Sequence, residues 1–255
     1  MILEICVDSV ESAIAAERGG GHRVELCSDL LEGGVTPGAG LIASVRRQVA
    51  IPIFVIVRPR GGDFFYTDLE FEVMREEIGQ AKRLGADGIV LGVLDETGRV
   101  DVPRTSALVK LARPLPVTFH RAIDMTPDLS AAMLDVLETG ANRILTSGGE
   151  PNVTRGMHQI ARMVGAAKGR IAIMAGGGIS ADTIVPVAEA TGVTEFHSSA
   201  RTTLCSPMLF RKEGMAMGDA GDREYQRFQV REESVRALAS ALEQLSAKRV
   251  TAGPG

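Results

Sequence analysis

The sequence predicts a single (β/α)8 barrel, and three observations carry that prediction. Apolar, β-branched runs alternate with helical patterns eight times along the 255 residues. Four helical stretches end alike, at Ala16-Glu17-Arg18-Gly19, Ala81-Lys82-Arg83-Leu84-Gly85, Leu137-Glu138-Thr139-Gly140 and Glu189-Ala190-Thr191-Gly192. Each precedes an even-numbered strand, as a repeated βαβα unit would require. The length also matches the ~250 residues typical of this barrel. An open doubly wound sheet is the alternative. Its dinucleotide-binding form needs a Gly-x-Gly-x-x-Gly after the first strand, which this chain lacks. No linker divides the chain, so residues 1–249 are expected to form one domain. The composition loosens from Lys248, and 250–255 reads as a flexible tail.

The elements follow in order. Ile2–Val7 is the first strand, with Glu4 and Cys6 on one face and Leu3, Ile5 and Val7 on the other. A helix opens at Asp8-Ser9, carries Val10, Ala13, Ile14 and Ala16 as its stripe, and stops at Gly19-Gly20-Gly21. Arg23–Cys27 is the second strand. After Gly33-Gly34, Thr36-Pro37 offers an N-cap and a first-turn proline for the next helix. Ile51–Val57 is the third strand. Thr67 and Glu70 make a capping box ahead of the stripe Phe71, Met74, Ile78 and Ala81. Gly88–Val93 is the fourth strand, Arg104–Arg113 a weaker helix and Pro116–His120 the fifth strand. Thr126-Pro127 repeats the threonine–proline start for a helix that runs to Gly140. Arg143–Thr146 is the sixth strand, followed by a helix around Met157–Ala167. Ile171–Met174 is the seventh, followed by a helix from Ser180, and Thr194–His197 is the eighth. A long loop, which Met208, Met215 and Met217 are expected to pack, leads to a last helix with Val235, Leu238, Leu242 and Leu245 in register.

Composition excludes several functions. At 45% hydrophobic and 24% charged, the chain is an ordinary globular sequence. A net charge of -4 argues against nucleic-acid binding. No apolar run approaches the ~20 residues that cross a bilayer. Cys6, Cys27 and Cys205 do not make a disulfide framework, and no signal-peptide layout opens the chain. A reducing, cytoplasmic setting is therefore expected.

The chemistry is expected at the carboxyl ends of the strands. Arg58-Pro-Arg-Gly-Gly-Asp-Phe-Phe-Tyr66 concentrates charge and aromatics where a connector needs only a turn. Glu4 with Cys6 and Glu25 with Cys27 face one way on adjacent strands, and inward glutamates need either partners or a function. They form either an ion-pair cluster, neutralised by Arg23, Arg58 or Arg60, or part of a site. Neighbouring strands lie about 4.8 Å apart. The two sulfurs are thus either a soft-ion pair suited to Cu(I) or two small buried residues. His120 and His197 stand at strand ends, either as proton carriers or as orienting hydrogen-bond partners. Gly176-Gly177-Gly178, with Ser198 and Ser199 on the next strand, suits an anion cradle.

These segments together resemble the CutC copper-homeostasis family. The resemblance rests on Glu4-Ile5-Cys6, Arg23-Val24-Glu25-Leu26-Cys27, Glu32-Gly33-Gly34, Arg58-Pro59-Arg60-Gly61-Gly62-Asp63-Phe64, Thr118-Phe119-His120-Arg121-Ala122, Arg143 to Gly148, and Glu195 to Ser199. It covers the chain to about Arg249. Ile123 replaces the phenylalanine usual in members, and the loop after Asp124 is short. The resemblance implies a (β/α)8 barrel, a cytoplasmic and often oligomeric protein, and Cu(I) bound by two cysteines, here Cys6 and Cys27. The alternative is an enzyme (lyase, isomerase or hydrolase) acting on a small anionic, perhaps phosphorylated, molecule. Arg58, Arg60, Arg121, Gly176, Gly177, Gly178 and Ser198 would hold the anion, and Glu25, Asp63 or His120 would move protons.

Overall fold

The computed structural model describes residues 1–215, 217 and 224–251. Eight parallel strands close into a barrel in sequential order. They are β1 (Ile2–Val7), β2 (Arg23–Leu26), β3 (Ile53–Ile56), β4 (Gly88–Leu91), β5 (Val117–Phe119), β6 (Arg143–Thr146), β7 (Ala172–Ala175) and β8 (Glu195–Ser198). The seam closes where β8 pairs with β1, which sets Glu4 beside His197. The helices outside are α1 (Val10–Arg18), α2 (Ala39–Gln48), α3 (Asp68–Arg83), α4 (Val102–Ala112), α5 (Leu129–Thr139), α6 (Val153–Ala167), α7 (Ile184–Thr191) and α8 (Glu232–Thr251). α8 thus continues past Lys248, and residues 252–255 lie outside the described residues.

The apolar core lies between strands and helices. Leu3, Ile5, Val7, Val24, Leu26, Ile53, Val55, Ile89, Phe119 and Phe196 are wholly buried there, following the period-two alternation of each strand. Inside the barrel a second, smaller apolar cluster joins Cys6, Cys27, Phe54, Ile56 and Val90. The β1–β2 register pairs Cys6 with Glu25, so Cys27 sits just past the end of β2 and not level with Cys6.

Some local expectations are corrected. The Thr67–Glu70 capping box is present in full. Thr36-Pro37 does not start α2, which begins at Ala39 behind Gly38. The Thr36 hydroxyl instead accepts from the Arg58 amide and donates to Glu77. Likewise Asp128, not Thr126, caps α5 by accepting from the amides of Ser130 and Ala131. α7 begins at Ile184, one turn after Ser180. The long loop after β8 holds an antiparallel pair, β9 (Arg201–Cys205) and β10 (Gln226–Val230), absent from the sequence reading. Met208, Met215 and Met217 are exposed and do not pack that loop.

One backbone contact fixes the loop after β6. A Cβ on Gly156, in the first turn of α6, would stand 1.8 Å from the Ser147 carbonyl oxygen. Gly165 in the same helix has nothing within 4 Å. Gly156→Ala is expected to cost about 2 kcal/mol, read as a fall in Tm of about 6 °C. Gly165→Ala should be neutral or raise Tm slightly, because alanine is the better helix former. Thermal denaturation of both variants checks this pair.

Candidate functional site

The interior of the barrel is charged. Arg143 on β6 donates to Glu195 on β8, and Arg23 on β2 donates to the same carboxylate at 2.9 Å. Arg23 Nε also donates to Glu4 on β1. Both guanidiniums lie over the Phe54 ring, at 4.7 and 5.4 Å from its centre. Glu4 Oε1 accepts from His197 Nδ1 at 2.7 Å, and the other ring nitrogen of His197 stands 3.8 Å from Glu25. Burial would raise the Glu4 carboxyl, but the hydrogen bonds and charges of His197 and Arg23 outweigh it and hold the group at about 2. For His197, burial works against the charged ring, but the Glu25 and Glu4 carboxylates and a contact with Cys6 push its pKa well above the ordinary value. Burial and the neighbouring Glu4 charge push Glu25 up, against the pull of His197.

The thiols lie just above this network. Cys6 Sγ donates to Glu25 Oε2 at 3.2 Å and lies 3.7 Å from Cys27 Sγ. Cys27, wholly buried, contacts the Val7 carbonyl oxygen at 3.4 Å. Its contact with Cys27, then burial, push the Cys6 thiol pKa well above the usual range. Donor atoms of Cys6, Glu25 and His197 fall within 4.8 Å of one another, a spacing a metal ion could bridge. The hydrogen bond to Glu4 occupies His197 Nδ1 and leaves Nε2 facing Cys6 and Glu25. A carboxylate behind a histidine in this way is the usual support for a ligating imidazole.

Above the thiols a cavity of about 490 Å³ opens at the carboxyl ends of the strands, with Cys6 and Glu25 at its floor. His120 stands on one wall. Its Nδ1 accepts from the Ala122 amide, and its Nε2 has no partner among the described residues. Burial and the Arg58 charge lower its pKa to about 3, so the ring is neutral with its proton on Nε2. Asp124 accepts from Arg121, Thr146, Ser147 and Gly149, which ties the loops after β5 and β6 together.

The sequence model of the CutC family matches residues 1–202. The chain belongs to the CutC family. It is 52% identical over 217 residues to the mouse (Mus musculus) "Copper homeostasis protein cutC homolog", covering 85% of this chain and 80% of that one. It is 45% identical over 242 residues to a CutC protein of Chromobacterium violaceum, covering 95% and 98%. A solved CutC structure from Streptococcus agalactiae superposes with a TM-score of 0.74 at 33% identity, over 78% of this chain and 98% of that one. No helix of the described residues is long and apolar enough to cross a membrane.

This CutC barrel brings Cys6, Glu25, Arg58, His120, Arg121, Gly177, Gly178 and Ser198 to one cavity, with Cys27 directly behind Cys6. Three expected residues, Arg60, Asp63 and Gly176, lie elsewhere. Arg60 turns away onto Glu70, Asp63 and the Phe65 carbonyl, and Asp63 is exposed beside it. Gly176 does not line the cavity, since its amide donates to Thr146 and a Cβ there would strike Leu145. Arg58 lines the wall, but its guanidinium clamps the carbonyls of Glu32, Gly34 and Gly62. The glutamates are neutralised by Arg23 and His197, not by Arg58 or Arg60. The sequence reading missed Arg201, which lines the cavity from the start of β9. Its aim follows a left-handed turn at Ala200, φ 44°, for which alanine gives no sequence signal.

The lowered His120 pKa sets a pH dependence. The unfolded chain takes up a proton below about 6.5 that the folded ring refuses down to about 3, so the group costs stability as pH falls through this window. The advantage of wild type over His120→Asn should therefore shrink by about 2 kcal/mol between pH 7.5 and pH 5. Urea unfolding of both proteins at the two pH values measures it. A constant difference would place a proton on His120 in the folded state.

Proposed function

We propose that this CutC-family chain captures Cu(I) through Cys6 and Cys27 at the base of the barrel cavity. The observation that carries the reading is the sulfur pair, 3.7 Å apart and not disulfide-bonded, with Cys6 open to the cavity. Thiolates are soft donors and favour Cu(I) over harder ions. The imidazole of His197 is a third candidate donor, held in place by Glu4. Both thiols are needed as thiolates, so capture releases protons. Relatives named for copper homeostasis agree with the assignment.

The fit also suggests a preference. Zinc favours four N, S or O ligands in a tetrahedron. Here Glu25 is engaged by Cys6 and His197, and Cys27 lies outside the Cys6–Glu25–His197 group. A competition titration of reduced protein with a Cu(I)-selective chelator tests the proposal. Wild type should withdraw one Cu(I) per chain, and Cys6→Ser and Cys27→Ser should each weaken binding by at least about a hundredfold. Equal, weak binding in all three proteins would refute it.

A further inference from the structure

The unmet hydrogen-bonding demand around the cavity is all of one kind. Three cavity-lining side chains carry a buried polar atom with no partner among the described residues: Arg58 Nε, His120 Nε2 and Arg201 Nη1. Each of these atoms bears a proton to donate. Arg58 and His120 are each only 5% exposed, so bulk water does not readily satisfy them. On the facing wall the chain turns through Gly177 and Gly178, both in the left-handed region with φ 90° and 93°. No acceptor among the described residues meets either amide. A Cβ on Gly177 would stand 3.4 Å from the Arg121 guanidinium carbon, so that cation adjoins the bare backbone.

The charges agree with the donors. The Arg58 guanidinium binds three backbone carbonyls, adjoins the Tyr66 hydroxyl and lies over the Phe64 ring, and no carboxylate pairs with it, although Glu32 stands at the rim. Arg201 is partly offset by Asp8. Asp124 is already engaged by its donors, and Glu25 is held by Cys6 and His197 at the floor. Donor atoms buried without acceptors are destabilising, a cost that an acceptor-rich ligand removes. The volume suits a molecule of a few heavy atoms up to the size of a small sugar phosphate.

We propose that the cavity above the thiols binds a small organic oxyanion, a carboxylate or a phosphate monoester, between His120 Nε2–H and Arg58 on one wall and Arg201 with the Gly177–Gly178 amides on the other. This site does not use the sulfur pair, so it stands or falls separately from copper capture. Full-length protein would be titrated calorimetrically with glycerol phosphate, malate and inorganic phosphate, each up to about 10 mM, a range that detects millimolar affinity. Saturable binding of an organic anion is expected, retained in the Cys6→Ser/Cys27→Ser variant and weakened about tenfold or more in Arg201→Gln. Preference between glycerol phosphate and malate identifies the oxyanion. Arg201 is part-exposed on the β9 strand, and the thermal unfolding of Arg201→Gln confirms its fold. Ligand-observed NMR on wild type alone provides a second reading that needs no variant. Absence of binding by both methods, binding of inorganic phosphate only, or equal binding by wild type and Arg201→Gln would overturn the proposal.

Discussion

The structure depends on burying ions inside a barrel that usually holds aliphatic side chains. Moving one charge out of water costs several kcal/mol even after relaxation, so a buried network must be complete. Here it is. Arg143 and Arg23 share Glu195, Arg23 also binds Glu4, Glu4 binds His197, and His197 faces Glu25. With the ring protonated and Glu25 ionised, three cations meet three anions. The network is also directional. Glu4 takes Nδ1 of His197, which leaves Nε2 turned toward Cys6 and Glu25. The chemistry of the cavity floor is thus set from below, by Glu4, Arg23, Arg143 and Glu195, which do not line the cavity.

This arrangement explains which features could be read in advance. Strands announce themselves through apolar runs, and the Glu4/Cys6 alternation shows because period two is a local property. The Thr67–Glu70 cap was legible for the same reason, since both partners lie within one turn. Thr36-Pro37 looks equally persuasive but fails, because the Thr36 hydroxyl is taken by Arg58 from the next strand's loop and by Glu77 on α3. Thr126 fails differently: its hydroxyl turns back to the Ile123 carbonyl, and Asp128 is a better cap two residues on. The β9–β10 pair was invisible because its partners are separated by a long insertion and half of its residues are exposed, without a clean apolar face.

The site divides along the same line. Short side chains on strands, such as Cys6 and Glu25, must point where the pleat points them, so their convergence could be inferred. Arginines on loops are different, because a long side chain goes wherever its partners are. Arg58 and Arg60 are two residues apart in one motif, yet Arg58 bridges loops beside the cavity while Arg60 folds back on its own loop and α3. Nothing local distinguishes them. Arg201 was missed for the converse reason: an alanine in the left-handed region swings it into the cavity wall.

Depth separates two kinds of chemistry in this one cavity. The soft sulfurs and their proton-holding neighbours lie at the floor, where Cys6 is 5% exposed and Cys27 not at all. The unpaired donors lie on the walls above. The buried Cys6 thiol, with its raised pKa, is a poor nucleophile and slow to oxidise, whereas Cys205, on β9, is exposed. Because Cys6 meets solvent where it lines the cavity, anything seated against the wall donors also stands over the sulfur. The fold therefore gives the two chemistries separate residues but a shared route to them. Were both proposed ligands to bind, the one on the walls would stand in the path of the ion at the floor, although they would share no contact.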